Sequence, residues 1–512
     1  MTPAAPVDDT DPPPTVDVRL LPAAVAAWAA ALVVTRVPGR VALVGAGVCL
    51  ALAVGGFLWG RSAGRGATVR RPSVVGPVLA LALVAGSAVL GAGASQTTAR
   101  AAGLLPVLAR EASVGRVDGI VVAEPTVLAP AWPGAPERVR CLLAVDRVTA
   151  GGRASGATGR VLVLGPTSWA SVPYGARVSG AGRVRPGEPG GRTVAVLLSS
   201  GAPEIVRPPS GADAAAAVFR DGIGALADRL PGDAGALLPG VTVGDTSTVP
   251  ADLVGALRTA GLTHVTAVSG AHFSLVAALV LALASALRLP RWARVAVAFA
   301  AMACMVLVVH PSPSVLRAAT MGLVAVLGVL LGRPHRAPAA LAATVVVLLV
   351  ADPWLAGELG FVLSVLATGG LVLLGGPLAE RWAPACGRPL ATALALPVAA
   401  QLVCAPVILL LTPTVALYAV PANVLVAPAI APATVLGLAA GCVAPWWSGG
   451  AHVLSLGAGA ACWWIGAVTR VAAAAPGAQV EWLPGWAGVA VLTVAGACAL
   501  RLLVVHRAAE RR

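Results

Sequence analysis

The sequence predicts a polytopic α-helical membrane protein with about twelve transmembrane helices, interrupted by one extracytoplasmic all-β insert. Three observations lead there. First, hydrophobic residues make up 58% of the 512-residue chain and charged residues 11%, with a mean hydropathy of +0.86. A soluble chain of this length lacks the polar surface to cover so much apolar material, which excludes a plain cytosolic enzyme. Second, apolar segments close to the length of a bilayer core recur along the chain. Third, hydropathy falls over residues 94–210, where short Val-rich runs alternate with Gly and Pro, and after a mixed stretch at 211–260 it returns. The 59 Gly and 42 Pro follow no repeat, which excludes a collagen-like chain.

In chain order, residues 1–19 hold Asp8, Asp9, Asp11 and a Pro12–Pro14 run. This composition predicts a disordered cytoplasmic tail rather than a signal peptide. Residues 20–93 contain three apolar segments, Leu20–Val34, Val41–Gly60 and Val74–Gly93. Within 94–210, five strands are expected near Val114–Ala123, Val139–Val148, Arg160–Leu164, Arg177–Val184 and Val194–Leu198. In the second, Val139, Cys141, Leu143 and Val145 alternate with their neighbours at period two. Five strands in this length fit an OB-like barrel, and other small β modules fit equally well. Residues 211–260 read as an amphipathic connector. Residues 261–505 hold spans near 262–287, 292–309, 315–332, 338–351, 358–376, 390–411, 415–441, 451–469 and 485–505, and 506–512 form a second cytoplasmic tail.

Arginine sets the orientation, because cytoplasmic loops are basic. Arg61, Arg65, Arg70 and Arg71 place the loop after the second span inside, and the insert therefore outside. Alternation then puts Arg288, Arg291 and Arg294, Arg333 and Arg336, Arg381 and Arg388, and Arg507, Arg511 and Arg512 inside as well. Arg36, Arg40 and Arg470 go against the rule. Trp59, Trp292, Trp354, Trp382, Trp446, Trp482 and Trp486 fall at span ends, as an interfacial belt requires.

Polar side chains inside apolar spans mark candidate functional positions, since lipid offers them no partner. His264, Ser269 and His272 open one span, and a single helix would hold both histidines on one broad face. They lack the i,i+4 spacing of a helical metal pair, no CxxC occurs, and neither a metal nor a cofactor is expected. Arg317 lies just inside a span, either snorkelling to the surface or facing a cavity and pairing with Glu358 or an anion. Gln401 is mid-span, and Asn423, the single Asn of the chain, sits between Pro421 and Pro428. Residues 253–480 carry ten Arg against three acids, Asp352, Glu358 and Glu380. A path for a polyanion avoids lining carboxylates, whereas a cation channel needs acidic rings. The net charge of +14, with every basic residue an Arg, fits the codon bias of a GC-rich genome as well as a polyanionic partner, and charge alone does not choose between them because cytoplasmic loops of any membrane protein are basic.

Five motifs occur in a fixed order. They are Gly244-Asp245-Thr246-Ser247, Leu262–Val276 with Ser269-Gly270-Ala271-His272, Ser314-Val315-Leu316-Arg317-Ala318 with Met321, Asp352-Pro353 followed by Glu358 and Gly360-Phe361-Val362-Leu363-Ser364, and Asn423–Pro428. In this order the chain resembles the ComEC competence family. It departs from the family pattern at Ala271, Glu358 and Val362, where the usual residues are Leu, Asp and Gln. The resemblance is to the form without a C-terminal metallo-β-lactamase-like domain, as the sequence contains no HxHxDH.

The resemblance implies an inner-membrane channel that imports single-stranded DNA during natural transformation. It implies an extracytoplasmic DNA receptor, a cytoplasmic helicase-like motor and a separate nuclease as partners, with membrane lipid around the spans. His264, Ser269, His272, Arg317, Glu358, Gln401 and Asn423 would line the DNA path. There is no GxxxxGK[ST], so nucleotide hydrolysis belongs elsewhere. The alternatives are a small-solute or ion-coupled secondary transporter, favoured by Pro-interrupted spans, and a hydrolase using Ser269 with a histidine, for which no orienting acid lies nearby. No catalytic residue is expected.

Overall fold

A computed structural model describes residues 18–63, 75–128, 130, 132, 134, 136–266, 268, 270–330 and 337–505. The predicted site residue Ser269, most of both predicted tails, and Arg65, Arg70, Arg71, Arg333 and Arg336 lie outside the described residues.

Three helices open the chain: α1 (Leu21–Val34), α2 (Gly39–Ala63) and α3 (Val75–Ala101). Ala23, Ala27 and Ala31, four residues apart on α1, are buried and let the backbones approach closely. The helix continues past position 94 to Ala101, and α4 (Leu105–Glu111) follows, so the β module starts later than the sequence predicts.

The module has six strands rather than five: β1 (Val114–Leu128), β2 (Arg138–Ala150), β3 (Arg153–Gly165), β4 (Arg177–Pro186), β5 (Thr193–Ser199) and β6 (Glu204–Arg207). Their order is β1-β2-β3-β5-β4, with β4 pairing back to β1, so the first five strands close a barrel and β6 joins at β4. β3 and β5 pair in parallel and the other pairs are antiparallel. Period-two alternation sends Val139, Cys141, Leu143 and Val145 inward. Trp169 plugs the interior and donates Nε1–H to the Gly201 carbonyl at 3.1 Å. Gly180 is required beside it, because a Cβ there would lie 2.7 Å from Trp169 Cη2.

The connector holds α5 (Ala212–Ala227), α6 (Gly232–Val243) and α7 (Ala251–Thr259). The amphipathic reading fails at α6, where Leu237 through Val243 are all buried. Then come α8 (Gly270–Ala286), α9 (Arg291–Val309), α10 (Pro313–Leu330) and α11 (Ala337–Ala351). α12 (Leu359–Gly370) passes through a π turn, Leu371–Gly375, into α13 (Gly376–Cys386), and α14 (Arg388–Ile408) follows. β7 (Thr414–Ala416) leads into α15 (Ala419–Val443) and α16 (Ser448–Ala474). β8 (Gln479–Glu481), which pairs with β7, precedes α17 (Gly485–Val505).

Each of the twelve predicted spans coincides with a helix. Among the described residues, eight helical segments are long and apolar enough to cross a membrane, and four apolar ones are shorter: Leu21–Val34, Ser314–Val324, Ala337–Ala351 and Gly485–Arg501. At 1.5 Å per residue, the 14-residue α1 extends only about 21 Å, short of a ~30 Å hydrocarbon core.

The three largest cores organise the described residues. One lies inside the barrel and is built from residues 105–197 alone. A second joins α1–α3 to α11 and α12, with Trp28 stacked on Phe361 at 5.3 Å. The third packs α6, α7 and the following turn against α15 and α16.

Candidate functional site

Arg317 is buried on α10 at 5% exposure, which corrects the snorkelling expectation. The expected pairing with Glu358 is also absent. Its Nε donates to Ser364 Oγ at 2.6 Å, and its Nη1 to Thr368 Oγ1 at 2.9 Å and toward Met321 Sδ at 3.1 Å. Ser364 and Thr368 are one turn apart on α12, so both hydroxyls face the same neighbour. Each keeps a lone pair for the guanidinium while Thr368 also donates to the Ser364 carbonyl at 2.9 Å. The third nitrogen points elsewhere: a Cβ on Gly270 would lie 3.4 Å from Nη2. A guanidinium held by neutral hydroxyls thus lies close to Gly270, the first residue of α8.

His264 does not share a helix with His272. Thr263–Val265 form a separate 3-10 turn, and α8 begins only at Gly270. Thr266 turns its hydroxyl back onto the Thr263 carbonyl at 3.1 Å, and β-branched residues dominate this stretch, so a regular helix loses there. The His264 side chain hydrogen-bonds the Asn423 side chain and the Gly261 backbone. Asn423 donates Nδ2–H to the Ala419 carbonyl at 2.7 Å, which leaves its oxygen for the imidazole. His272 is buried on the first turn of α8, near the Gly270 end that meets Arg317.

The other predicted residues sit apart. Glu358 is half-buried at the start of α12 and lies within electrostatic reach of Arg160 on the barrel. Gln401 is half-buried on α14. Two shallow grooves measure about 200 and 420 Å³, and none of the predicted positions lines either of these. The expected break at Asn423–Pro428 is also corrected, for α15 runs through Pro428 and Pro432 without interruption. Each proline withholds an N–H from the carbonyl four residues earlier, at Val424 and Pro428. α16 supports the weakened stretch by donating Trp464 Nε1–H to the Leu425 carbonyl at 2.8 Å.

Over residues 241–507, just over half the chain, the sequence matches the family described as Competence protein. The chain belongs to the competence protein family. No curated protein and no solved structure matches it. Apolar helices of spanning length make this competence protein a membrane protein, and its family gives it a role in DNA uptake.

The match includes every predicted site residue and leaves out the barrel. How the barrel meets the matched part was not anticipated from sequence. Arg220 on α5 is buried and donates Nη1–H to the carbonyls of Val243 at 2.7 Å and Val308 at 3.0 Å, the C-terminal ends of α6 and α9. Its Nη2 binds Glu124 of β1 and lies 3.7 Å from Asp245. His310, after α9, brings Nδ1 to 3.5 Å from Glu124 and stacks on Tyr174 of the barrel at 3.7 Å. Its φ of +66° is a conformation a side chain rarely adopts. Burial, with Arg220 beside it, pushes His310 down to about 4, and burial raises Glu124 above the usual carboxylate range. On another side, Arg192 holds Asp352 at 2.7 Å, and Arg100 of α3, whose Nη1 donates to the Arg192 carbonyl at 3.3 Å, lies over the Trp354 ring at 3.2 Å. Arg470, an exception to the inside-positive rule, is neutralised by Asp233 at 2.7 Å and Asp252 at 2.9 Å.

Proposed function

We propose that this competence protein is an inner-membrane channel that passes single-stranded DNA into the cytoplasm. One observation carries the reading: Arg317 is buried with hydroxyls and no carboxylate around it among the described residues, so its charge is left for an anion. A structural arginine at this depth would be matched by Asp or Glu. A phosphodiester brings that charge and moves on, as conduction requires.

In this reading all twelve apolar helices cross, both termini are cytoplasmic and the barrel is extracytoplasmic and OB-like. The strand order 1-2-3-5-4 with closure onto β1 supports the OB assignment. Barrel contacts support the sidedness, because they fall on His310, Asp352 and Glu358, all in loops the arginine pattern assigns to the outside. A DNA receptor would feed the barrel, a helicase-like motor would pull from the cytoplasm, and a separate nuclease would remove the second strand. Drawing anions inward opposes an inside-negative potential by about 2.3 kcal/mol per charge per 100 mV, which a motor must supply. The chain acts as a conduit without catalysis: His264 is bound to Asn423 and a backbone group rather than to an orienting acid. The unbroken α15 removes the feature that favoured a small-solute transporter.

Arg317→Ala tests the reading. Labelled DNA should still bind the cell surface while its arrival in the cytosol is lost, and Arg317→Lys should restore only part of it. Normal cytosolic accumulation in Arg317→Ala would remove Arg317 from the path.

A further inference from the structure

A guanidinium carries five N–H donors, and Arg317 has three of them placed: Nε on Ser364 Oγ, and Nη1 on Thr368 Oγ1 and Met321 Sδ. The two on Nη2 have no acceptor among the described residues. Gly270 lies beside Nη2, where a Cβ would come within 3.4 Å, so the missing side chain leaves room next to the unused nitrogen.

The two hydroxyls that hold the guanidinium are not equivalent. A hydroxyl in an apolar helix ordinarily spends its proton on the carbonyl one turn back. Thr320, Thr392, Thr434, Thr469 and Thr493 all do so at 2.7–2.9 Å, and Thr368 does so at 2.9 Å. Ser364 does not. Its one side-chain bond among the described residues is the one it accepts from Arg317, so its own O–H is free to donate. In the planar fork, Nε–H and Nη2 share an edge. The Ser364 hydroxyl seated on Nε is therefore the neighbour of whatever Nη2 binds.

We propose that Ser364 is a second phosphate contact, donating its O–H to an oxygen of the same phosphodiester that Nη2 holds, while Thr368 is a positioning residue that fixes Nη1. A phosphodiester has two non-bridging oxygens, one for each donor. Both contacts go to phosphate, so the pair reads no base. The holders of Arg317 are neutral and leave its attraction intact. One nitrogen and one hydroxyl grip less tightly than a bidentate fork, which lets the strand advance. α12 is fixed in place for this, because a Cβ on Gly370 would lie 3.0 Å from the Ala399 carbonyl oxygen of α14. The inference rests on the reading of Arg317 as part of the DNA path and adds the second donor to it.

The test compares Ser364→Asn with Ser364→Asp in the full-length protein in cells. The two side chains are nearly equal in size, and both can accept from Nε. The amide keeps an N–H for phosphate, whereas the carboxylate has none and repels it. Cytosolic arrival of labelled DNA, normalised to protein in the membrane, should stay within about threefold of wild type in Ser364→Asn and fall about tenfold or more in Ser364→Asp. Melting temperature in detergent should run the other way, since the aspartate pairs with Arg317. A second comparison changes no charge. Ser364→Ala removes an acceptor and a donor for this site, Thr368→Val only an acceptor, so uptake should fall further in Ser364→Ala, and Thr368→Ser should recover what Thr368→Val loses. Equal uptake in Ser364→Asn and Ser364→Asp, or equal losses in Ser364→Ala and Thr368→Val, would overturn the proposal. Failure of the path reading looks different: normal uptake in Arg317→Ala removes Arg317 and the Ser364 contact together. Loss of uptake in Arg317→Ala with equal Ser364 variants leaves Arg317 in the path and removes Ser364 alone.

Discussion

Arg220 joins four chain segments through one guanidinium: β1, the ends of α6 and α9, and the turn that carries Asp245. Removing it leaves two helix-end carbonyls and the Glu124 carboxylate without their donor. Arg220→Met should therefore lower unfolding stability by about 3 kcal/mol, read by thermal or denaturant melts in detergent. His310 in the same cluster gives a pH signature. Its folded pKa, about 4, lies below that of an unfolded histidine, so the neutral form belongs to the native state. Its contribution is fully present above the unfolded value near 6.5 and is lost as pH falls through about 4. Glu124, shifted upward, works in the opposite sense, and comparison of wild type with His310→Gln isolates the histidine. Wild type should lose stability between pH 6.5 and 4 relative to the variant; parallel pH profiles would deny His310 this role. Sequence exposes Arg317 because a charge stands out in an apolar run. Thr368 does not stand out, since a threonine in a helix satisfies itself on the carbonyl four residues back, and only the structure shows its second lone pair in use. Arg220 lies in an ordinary alanine-rich helix, and nothing local announces that its partners are 88 and 96 residues away.

Helix contacts depend on small residues where two backbones meet. A Cβ at Gly370, the last residue of α12, would lie 2.7 Å from Val403 Cγ2 and 3.0 Å from the Ala399 carbonyl oxygen of α14. Backbone cannot move aside as a flexible side chain does, so Gly370→Val should cost about 1–3 kcal/mol through overpacking. It would also shift the helix that positions Ser364 and Thr368, and DNA uptake should fall with stability. Gly255 in α7 has nothing within 4 Å of the same hypothetical atom, so Gly255→Ala should gain about 0.4–1 kcal/mol. If the two substitutions shift the melting temperature alike, close helix approach is not the controlling effect. Elements were legible where burial imposes a period. The five barrel strands alternate and were found, while β6 is exposed at all four positions and carries no alternation to read. α6 was misread for the opposite reason: it is enclosed by neighbours, so the one-sided pattern of a surface helix does not apply.

On the scale of the whole chain, the barrel and the helical bundle are separate cores held together by polar contacts. The barrel core draws only on residues 105–197, and no helix of the bundle contributes to it. The bond to the rest is made by Arg220 with Glu124, Arg192 with Asp352, His310 stacked on Tyr174, and Arg100 of α3 donating to the Arg192 carbonyl at 3.3 Å. Arg192 is 9% exposed and Asp352 23%, so this pair is only partly screened by water. Polar attachment of an independently cored unit predicts separable unfolding. Glu124→Ala combined with Asp352→Ala should convert one calorimetric transition into two, because each core keeps its own apolar interior while the coupling is lost. Limited proteolysis should then cut the 208–211 segment between β6 and α5, and yield a protected fragment that contains residues 105–207. Wild type under the same digestion should stay largely intact. A single transition in the double variant, with no new cleavage, would mean that the barrel and the Arg317 site belong to one cooperative unit. Two transitions would instead make the barrel and the helical bundle independently folded units, each stabilised by its own apolar core.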